Sequence, residues 1–160
     1  MAKISKTNAM RILDKEKIDY SVKTYDTSDG KIDGISVARK VNRSEDEIFK
    51  TIVTVGQSKD IYVFVIPVSK EIDLKKAGKI SSEKNIEMLL IDNILKVTGY
   101  IRGGCSPIGM KKLYKTFIQI EAQNLETMVV SAGKIGLQIE ISPDCLREVT
   151  KGEFQCIVRE

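Results

Sequence analysis

Two glycine-containing segments and one lysine are the parts of this chain whose residue types and spacing could do chemistry. Residues 99–109 read GYIRGGCSPIG, with four glycines in eleven residues, and Lys111 and Lys112 follow at once. Glycine lets backbone amides approach a ligand closely and form an anion-binding nest. The segment has neither the dinucleotide-binding nor the Walker A spacing. It is therefore either a binding loop or a tight corner of a sheet.

The second glycine-containing segment is residues 131–136, SAGKIG, which lie between two predicted strands. Taken alone, this pattern is typical of a hairpin turn. It would contribute to a binding site only if it faced the first segment.

Lys50 is the third candidate, because it begins a predicted strand and has apolar neighbours at Ile48, Phe49 and Ile52. A lysine there must be paired, perturbed or at an opening. The alternative is a lysine that extends its charged end past apolar neighbours into water.

The positive charge is concentrated around the first glycine segment. Residues 93–120 contain no Asp or Glu and carry +5, whereas the whole chain carries +4. A local basic surface favours an anionic partner such as nucleic acid or a phosphorylated small molecule. A solvated basic face is the alternative, and the interleaved glycines favour a binding loop over it.

The composition excludes several kinds of catalytic site. The chain has no histidine, so a Ser-His-Asp triad, a Cys-His dyad and a His-containing zinc site are impossible. The three cysteines (Cys105, Cys145 and Cys156) are too few for an all-cysteine zinc site and are expected to be free thiols. No metal is expected. Chemistry must come from Lys, Tyr, Ser, Thr, carboxylates, backbone amides or the substrate itself.

The length of 160 residues, with 42% hydrophobic and 30% charged residues, suits one domain over residues 1–160. No apolar run is long enough for a membrane helix, and the first ten residues lack a secretory pattern, so we expect a cytoplasmic protein. Strands and helices interleave irregularly, which favours an α+β fold with a mixed, curled sheet.

The predicted elements position the candidates as follows. A hairpin is predicted from runs 51–55 and 61–65 around the polar loop 56–60. Further strands are predicted at 18–25, 86–90, 117–120, 127–130, 137–141 and 154–158. Helices are predicted after caps at Asn8, Asp73 and Ser142, around 35–41, from a capping box at Ser44 and Glu47, and as a turn from Asp92.

The candidate residues occur in a recognisable order: Phe49-Lys50-Thr51, then Gly99-Tyr100 with Gly103-Gly104 and Ser106-Pro107-Ile108-Gly109, then residues 131–136. In this order and at these intervals the chain resembles the YbaK (or EbsC) family of Cys-tRNA(Pro)/Cys-tRNA(Cys) deacylases, relatives of the editing domain of bacterial prolyl-tRNA synthetase. The resemblance implies a curled mixed sheet, or partial barrel, flanked by helices. It also implies a hydrolase that cleaves the ester of mischarged tRNA.

The resemblance further implies which residues form the site. Lys50 would be the catalytic residue, binding phosphate near the terminal adenosine and orienting the ester. The residues expected to contact substrate or tRNA are Tyr25, Thr51, Tyr100, Gly103, Gly104, Ser106, Lys111, Lys112, Ser131, Gly133 and Gln138. The substrate cysteine's thiol would attack its own carbonyl, so no cofactor is expected. A transient complex with prolyl-tRNA synthetase is expected.

This sequence departs from the family pattern at four positions. Ala132 and Ile135 replace a glycine and an arginine of the second turn, and Gln138 stands where an acidic residue is frequent. Cys105 occupies a position that is apolar in better-known members; without a histidine to activate it, we interpret it as a packing residue. Two alternatives remain: an Ala-tRNA(Pro) deacylase in which water attacks, and a non-catalytic tRNA- or nucleotide-binding module.

Overall fold

A computed structural model describes residues 5–160 of the chain. Residues 1–4, which belong to the segment inspected for a secretory pattern, lie outside the described residues. In chain order the elements are α1 (Asn8–Lys15), β1 (Ser21–Thr24), α2 (Gly34–Lys40), β2 (Phe49–Gly56), β3 (Ile61–Pro67), α3 (Leu74–Ser81), β4 (Ile86–Met88), α4 (Ile91–Thr98), β5 (Lys115–Gln119), a 3₁₀ helix (Ile120–Asn124), β6 (Met128–Ser131), β7 (Leu137–Ile141), α5 (Pro143–Thr150) and β8 (Glu153–Gln155). Within 5–160, no helix combines the length and apolar character that a bilayer crossing requires.

The strands of the described residues form two sheets. One is a mixed sheet in the order β4-β2-β3-β5-β8, in which β5 runs parallel to both of its neighbours. The other is antiparallel, in the order β1-β7-β6. A single parallel bridge between Ile48 and Val129 joins them. The predicted α+β fold with a mixed sheet is therefore confirmed, although the strands do not close into a barrel.

The hairpin of β2 and β3 is confirmed, with Val53 opposite Val63 and Lys50 opposite Ile66. β3 is buried on both faces, because Val65 packs into a core shared with β6, β7, α1 and α5, whereas Phe64 and Ile66 pack towards α3. A strand covered on both faces is expected to be the most rigid part of a sheet. The start of β2, where Lys50 lies, is thus held against a fixed partner.

The helix caps at Asp73 and Ser142 are confirmed, because both side chains accept hydrogen bonds from the first turn of their helices. The cap predicted at Asn8 is wrong. Thr7 caps α1 by accepting from the Met10 amide at 3.2 Å, while the Asn8 amide donates to the Gly109 carbonyl at 2.7 Å. Both residue types can cap a helix, and here a long-range contact uses the asparagine.

The helix predicted from the capping box at Ser44 and Glu47 is also wrong. One of the two capping-box contacts exists, because the Ser44 amide donates to the Glu47 carboxylate, but the Ser44 hydroxyl accepts from the Asp46 amide and the Glu47 amide donates to the Ser44 carbonyl instead. The segment nevertheless forms only a turn, since Ile48 enters the bridge to Val129 and β2 begins at the next residue. Too few residues lie between the cap and the strand for a helix to continue.

Candidate functional site

A cleft of about 350 Å³ is lined by residues from both sheets. The bridge between Ile48 and Val129 sets its geometry, because the two strands are parallel there. Two residues further along each strand stand Lys50 and Ser131, and alternation along a strand places them on the same faces as the bridging residues. Gln138 on β7 is the register partner of Ser131. The junction of the sheets thus brings a cation, a hydroxyl and an amide to one cleft.

The cleft gathers six of the residues that the sequence singled out, and the others lie elsewhere. The predicted site residues that line it are Tyr25, Lys50, Thr51, Gly103, Ser131 and Gln138. Lys111 and Lys112 lie instead in a separate groove of about 250 Å³ beside α1 and α5. The remaining predicted residues (Tyr100, Gly104, Ser106 and Gly133) do not line the cleft.

The two glycine segments pack against each other, which was the condition for the second one to belong to a site. A Cβ atom on Gly104 would lie 2.9 Å from the Ile135 amide nitrogen. A Cβ atom on Gly133, whose φ is +101°, would lie 2.6 Å from the Tyr100 ring. The Tyr100 hydroxyl donates to the Ile108 carbonyl at 2.6 Å. Tyr100 therefore lies beneath both turns, and its contacts position the wall of the cleft that Gly103 lines.

Ser106 and Ile135 reinforce this packing. The Ser106 side chain is fully buried and accepts a hydrogen bond from the Ile108 amide within its own turn. Ile135, which replaces the arginine of the family pattern, packs its side chain near Gly103. Neither residue lines the cleft, so both act on its shape through the glycine turns.

Lys50 lies at an opening rather than in a closed ion pair. Its Nζ is 3.8 Å from Oε1 of Glu71, and the side chains of Lys50 and Glu71 are 31% and 76% exposed. Exposed pairs of this kind contribute about 0–1 kcal/mol to stability. The ammonium is thus free to exchange this carboxylate for a better anion, such as a phosphate.

Arg102 is a cleft residue that the sequence did not single out as a site residue. It is exposed and lines the cleft together with Lys50, and no carboxylate among the described residues lines it with them. Two cations in one cleft, of which Lys50 has only a long contact with the exposed Glu71 carboxylate, favour an anionic ligand. The signal that could have identified Arg102 is its position inside the first glycine segment, between Ile101 and Gly103.

Lys40 on α2 holds the loop that connects Tyr25 to Ile32, both of which line the cleft. Its Nζ donates to the Asp26 carbonyl at 2.7 Å, to the Asp29 carboxylate at 2.8 Å and to the Lys31 carbonyl at 2.8 Å. The pKa of Asp29 is lowered, chiefly by the hydrogen bond from Lys40. One ammonium thereby fixes the course of the loop.

We expect Lys40→Met to lower kcat/KM for the substrate by about fivefold, the equivalent of about 1 kcal/mol, because the loop loses this anchor. The change should appear mainly in KM, since Lys40 itself does not line the cleft. Steady-state kinetics measure it. Lys31→Met is the matched control, because it removes a lysine from the same loop and keeps the carbonyl that Lys40 binds. Equal losses in the two variants would contradict this role for Lys40.

Cys105 lines the cleft but is a poor nucleophile. Burial raises the pKa of its thiol to about 11, so the reactive thiolate is rare near neutral pH. Burial likewise raises the pKa of the Tyr100 hydroxyl to about 12. Both groups favour their neutral forms in the folded protein.

These two pKa shifts predict alkaline destabilisation. The stability that the neutral groups contribute is fully present below their ordinary values of 9.0 and 10.0 and is lost as the pH rises towards about 11 and about 12. We expect the urea midpoint to fall from about pH 9 to about pH 12, and Cys105→Ala to make the fall between about pH 9 and about pH 11 shallower. A variant whose midpoint falls as steeply as that of the native protein would contradict the prediction.

Size alone does not identify the site. A larger cleft, of about 780 Å³, lies between α1, β1 and α5 and contains none of the candidate residues. In the described part of the chain, no group of three His, Cys, Asp or Glu side chains is placed to hold a metal ion. We therefore assign the site by its chemistry, to the cleft at the junction of the two sheets.

Similarities to known proteins identify the family of the chain. The sequence model of the aminoacyl-tRNA editing domain matches residues 33–149, a range that contains most of the residues lining the cleft. A protein of Enterococcus faecalis named Cys-tRNA(Pro)/Cys-tRNA(Cys) deacylase EbsC is 45% identical over 149 residues, which cover 93% of this chain and 91% of that protein.

Solved structures of low sequence identity share the fold. A crystal structure described as a trans-editing enzyme for prolyl-tRNA synthetase superposes with a TM-score of 0.85 at 17% identity, covering 99% of this chain and all of that one (100%). A hypothetical protein superposes with a TM-score of 0.88 at 16% identity, covering 96% of this chain and 100% of that one. The family match and the E. faecalis relative show that the chain belongs to the aminoacyl-tRNA editing domain family, in its YbaK/EbsC branch.

Proposed function

We propose that this protein is a trans-editing deacylase that cleaves the aminoacyl ester of mischarged tRNA and prefers Cys-tRNA(Pro). The observation that carries the proposal is the cleft in which Lys50, Arg102, Ser131 and Gly103 meet without a carboxylate among its described lining residues. This arrangement suits an anionic ligand whose reacting group is already activated. An aminoacyl ester at the end of tRNA is such a ligand.

Lys50 is the catalytic residue in this proposal. Its ammonium leaves Glu71 and binds phosphate near the terminal adenosine, together with Arg102, which fixes the ester in the cleft. The apolar residues of the cleft then surround the amino-acid side chain; they are Ile32, Val37, Ile48, Phe49 and Val68. An apolar pocket discriminates between small groups by only about 1–3 kcal/mol, so a chemical filter must add to it.

The chemical filter is the thiol of the substrate. Its sulfur attacks the carbonyl carbon of the same aminoacyl group, the ester C–O bond breaks, and the thiol proton passes to the departing ribose oxygen. A thiolactone and free tRNA are the products. Holding the two groups in contact can supply several kcal/mol, about 7–11 at best. Amides of the Gly103 turn would stabilise the oxyanion, at about 3 kcal/mol per donor.

This route requires no protein nucleophile or general base. The chain has no histidine, and burial keeps the Cys105 thiol neutral. Lys111 and Lys112 would contact the tRNA outside the cleft, from the neighbouring groove. We place the reaction in the cytoplasm, in a transient complex with prolyl-tRNA synthetase, and we assign it to one domain that spans residues 1–160.

The test is a deacylation assay of the purified protein on Cys-, Ala-, Ser- and Pro-tRNA(Pro), with and without prolyl-tRNA synthetase. We expect Cys-tRNA(Pro) to be cleaved fastest and Pro-tRNA(Pro) to be spared. Fastest cleavage of Ala-tRNA(Pro) would instead favour a deacylase that uses water. Salt-sensitive tRNA binding without any ester cleavage would favour a binding module and overturn the proposal.

A further inference from the structure

Two side-chain oxygens in the cleft have no hydrogen-bond partner. They are Oγ1 of Thr51 and Oε1 of Gln138, and within residues 5–160 they are the buried side-chain polar atoms left without one. Gln138 is only 7% exposed, and both residues line the cleft. The two oxygens come from different sheets, Thr51 from β2 and Gln138 from β7.

An unpaired buried polar atom destabilises the folded protein, and most buried polar atoms have a hydrogen-bond partner. Thr54, three residues further along β2, shows the usual outcome, because its hydroxyl donates to the Tyr62 carbonyl at 3.0 Å. The coincidence of both unpaired atoms in one cleft points to a ligand that supplies N–H or O–H donors. An amide oxygen can only accept, so the ligand group that meets Gln138 Oε1 must donate.

We propose that Gln138 and Thr51 form the subsite for the α-amino group of the esterified amino acid, an inference that rests on the proposed function. The α-amino group carries several N–H donors next to the ester carbonyl. Lys50 and Arg102 have no acceptor atoms in their charged groups, so they cannot bind it. No carboxylate among the described residues lines the cleft, and the neutral oxygens of Gln138 and Thr51 therefore take this role.

The subsite explains how the ester could be oriented. Lys50 fixes the phosphate side of the substrate, and the two oxygens fix the amino side, so that rotation of the aminoacyl group about its ester is restricted. The 2′-hydroxyl of the terminal ribose is another O–H donor in the same substrate. A substrate that lacks only the amino group shows which of these two donors, the α-amino group or the 2′-hydroxyl, the oxygens bind.

The experiment compares Cys-tRNA(Pro) with 3-mercaptopropionyl-tRNA(Pro), which keeps the thiol and the ester but has no amino group. The native protein should prefer the cysteinyl substrate by about tenfold in kcat/KM, the equivalent of about 1.4 kcal/mol. Gln138→Leu and Thr51→Val should each lower kcat/KM for the cysteinyl substrate towards the desamino value, and leave the desamino substrate within about twofold. Thr54→Val is the matched control: it removes a paired hydroxyl from the same strand and should keep the preference.

Gln138→Glu, which keeps an acceptor of the same size, should retain or increase the preference. If Gln138→Leu does not fold, as judged by its melting curve, a preference in Gln138→Glu below that of the native protein overturns the subsite. Equal losses of kcat/KM on both substrates in Gln138→Leu and Thr51→Val would also overturn the subsite and would assign the two oxygens to the ribose hydroxyl. No loss on either substrate would overturn it as well and would show that the two oxygens bind neither group. Failure of the native protein to cleave either substrate would instead overturn the proposed function, and the subsite with it.

Discussion

Lys50→Ala is expected to lower kcat/KM for Cys-tRNA(Pro) by at least about 100-fold while the fold is retained, because the cleft loses the cation that fixes the substrate. The loss should exceed that of an ordinary surface lysine, since positioning of the ester determines whether its own thiol can reach the carbonyl. The fold should persist because the Lys50 side chain is 31% exposed and its pair with Glu71 is long, at 3.8 Å. Single-turnover deacylation and a thermal melt measure the two quantities.

Two controls isolate the role of Lys50. Glu71→Gln removes the partner of the ion pair but keeps the lysine, and it should stay within about twofold of the native rate. Lys76→Ala removes a lysine of similar exposure, 29%, that also lies 3.8 Å from an exposed glutamate, and it should retain activity because Lys76 does not line the cleft. Full activity in Lys50→Ala would remove Lys50 from the mechanism.

Replacing the substrate's sulfur by oxygen is the second change with a large expected effect. Ser-tRNA(Pro) should be cleaved at least about 100-fold more slowly than Cys-tRNA(Pro), because a neutral hydroxyl is a weak nucleophile without a base to activate it. No carboxylate among the described residues lines the cleft to act as that base, and the chain has no histidine that could do so. Initial rates on matched tRNA preparations measure the ratio.

Analysis of the reaction products independently distinguishes attack by the substrate thiol from attack by water. Thiolactone should be trapped from Cys-tRNA(Pro) before it hydrolyses to cysteine, whereas attack by water would give cysteine directly. Equal rates on Cys-, Ser- and Ala-tRNA(Pro) would rule out assistance by the substrate thiol.

Local patterns predicted the elements that depend on neighbours in sequence. The hairpin follows from β-branched runs on either side of a polar loop, and the caps at Asp73 and Ser142 follow from one side chain and the next turn. Strand ends were predicted less well: residues 18–25 were expected to form a strand, and β1 covers only Ser21–Thr24. The end of β1 at Thr24 coincides with the start of β7 at Leu137, its register partner, and a local pattern does not contain that information.

Which residues line the candidate site was only partly predictable, because their placement depends on contacts between distant parts of the chain. The charge of residues 93–120 is a property of the sequence, but the direction of each side chain is set by long-range packing. Arg102 lines the cleft, while Lys111 and Lys112, in the same stretch, line a different groove. The Lys40 ammonium donates hydrogen bonds to three oxygens of the loop between Tyr25 and Ile32, the first of them 14 residues earlier in the chain, and no local pattern indicates these bonds.

The position of Tyr100 beneath both glycine turns constrains how this protein can diverge. The ring occupies the space that a side chain at position 133 would need, so the two positions share one fixed volume. Gly133 also has a φ of +101°, a backbone conformation that residues with a side chain rarely adopt, so a smaller residue at 100 alone would not make room for a larger one at 133. Relatives that keep this turn should therefore keep glycine at 133, whatever residue they carry at 100.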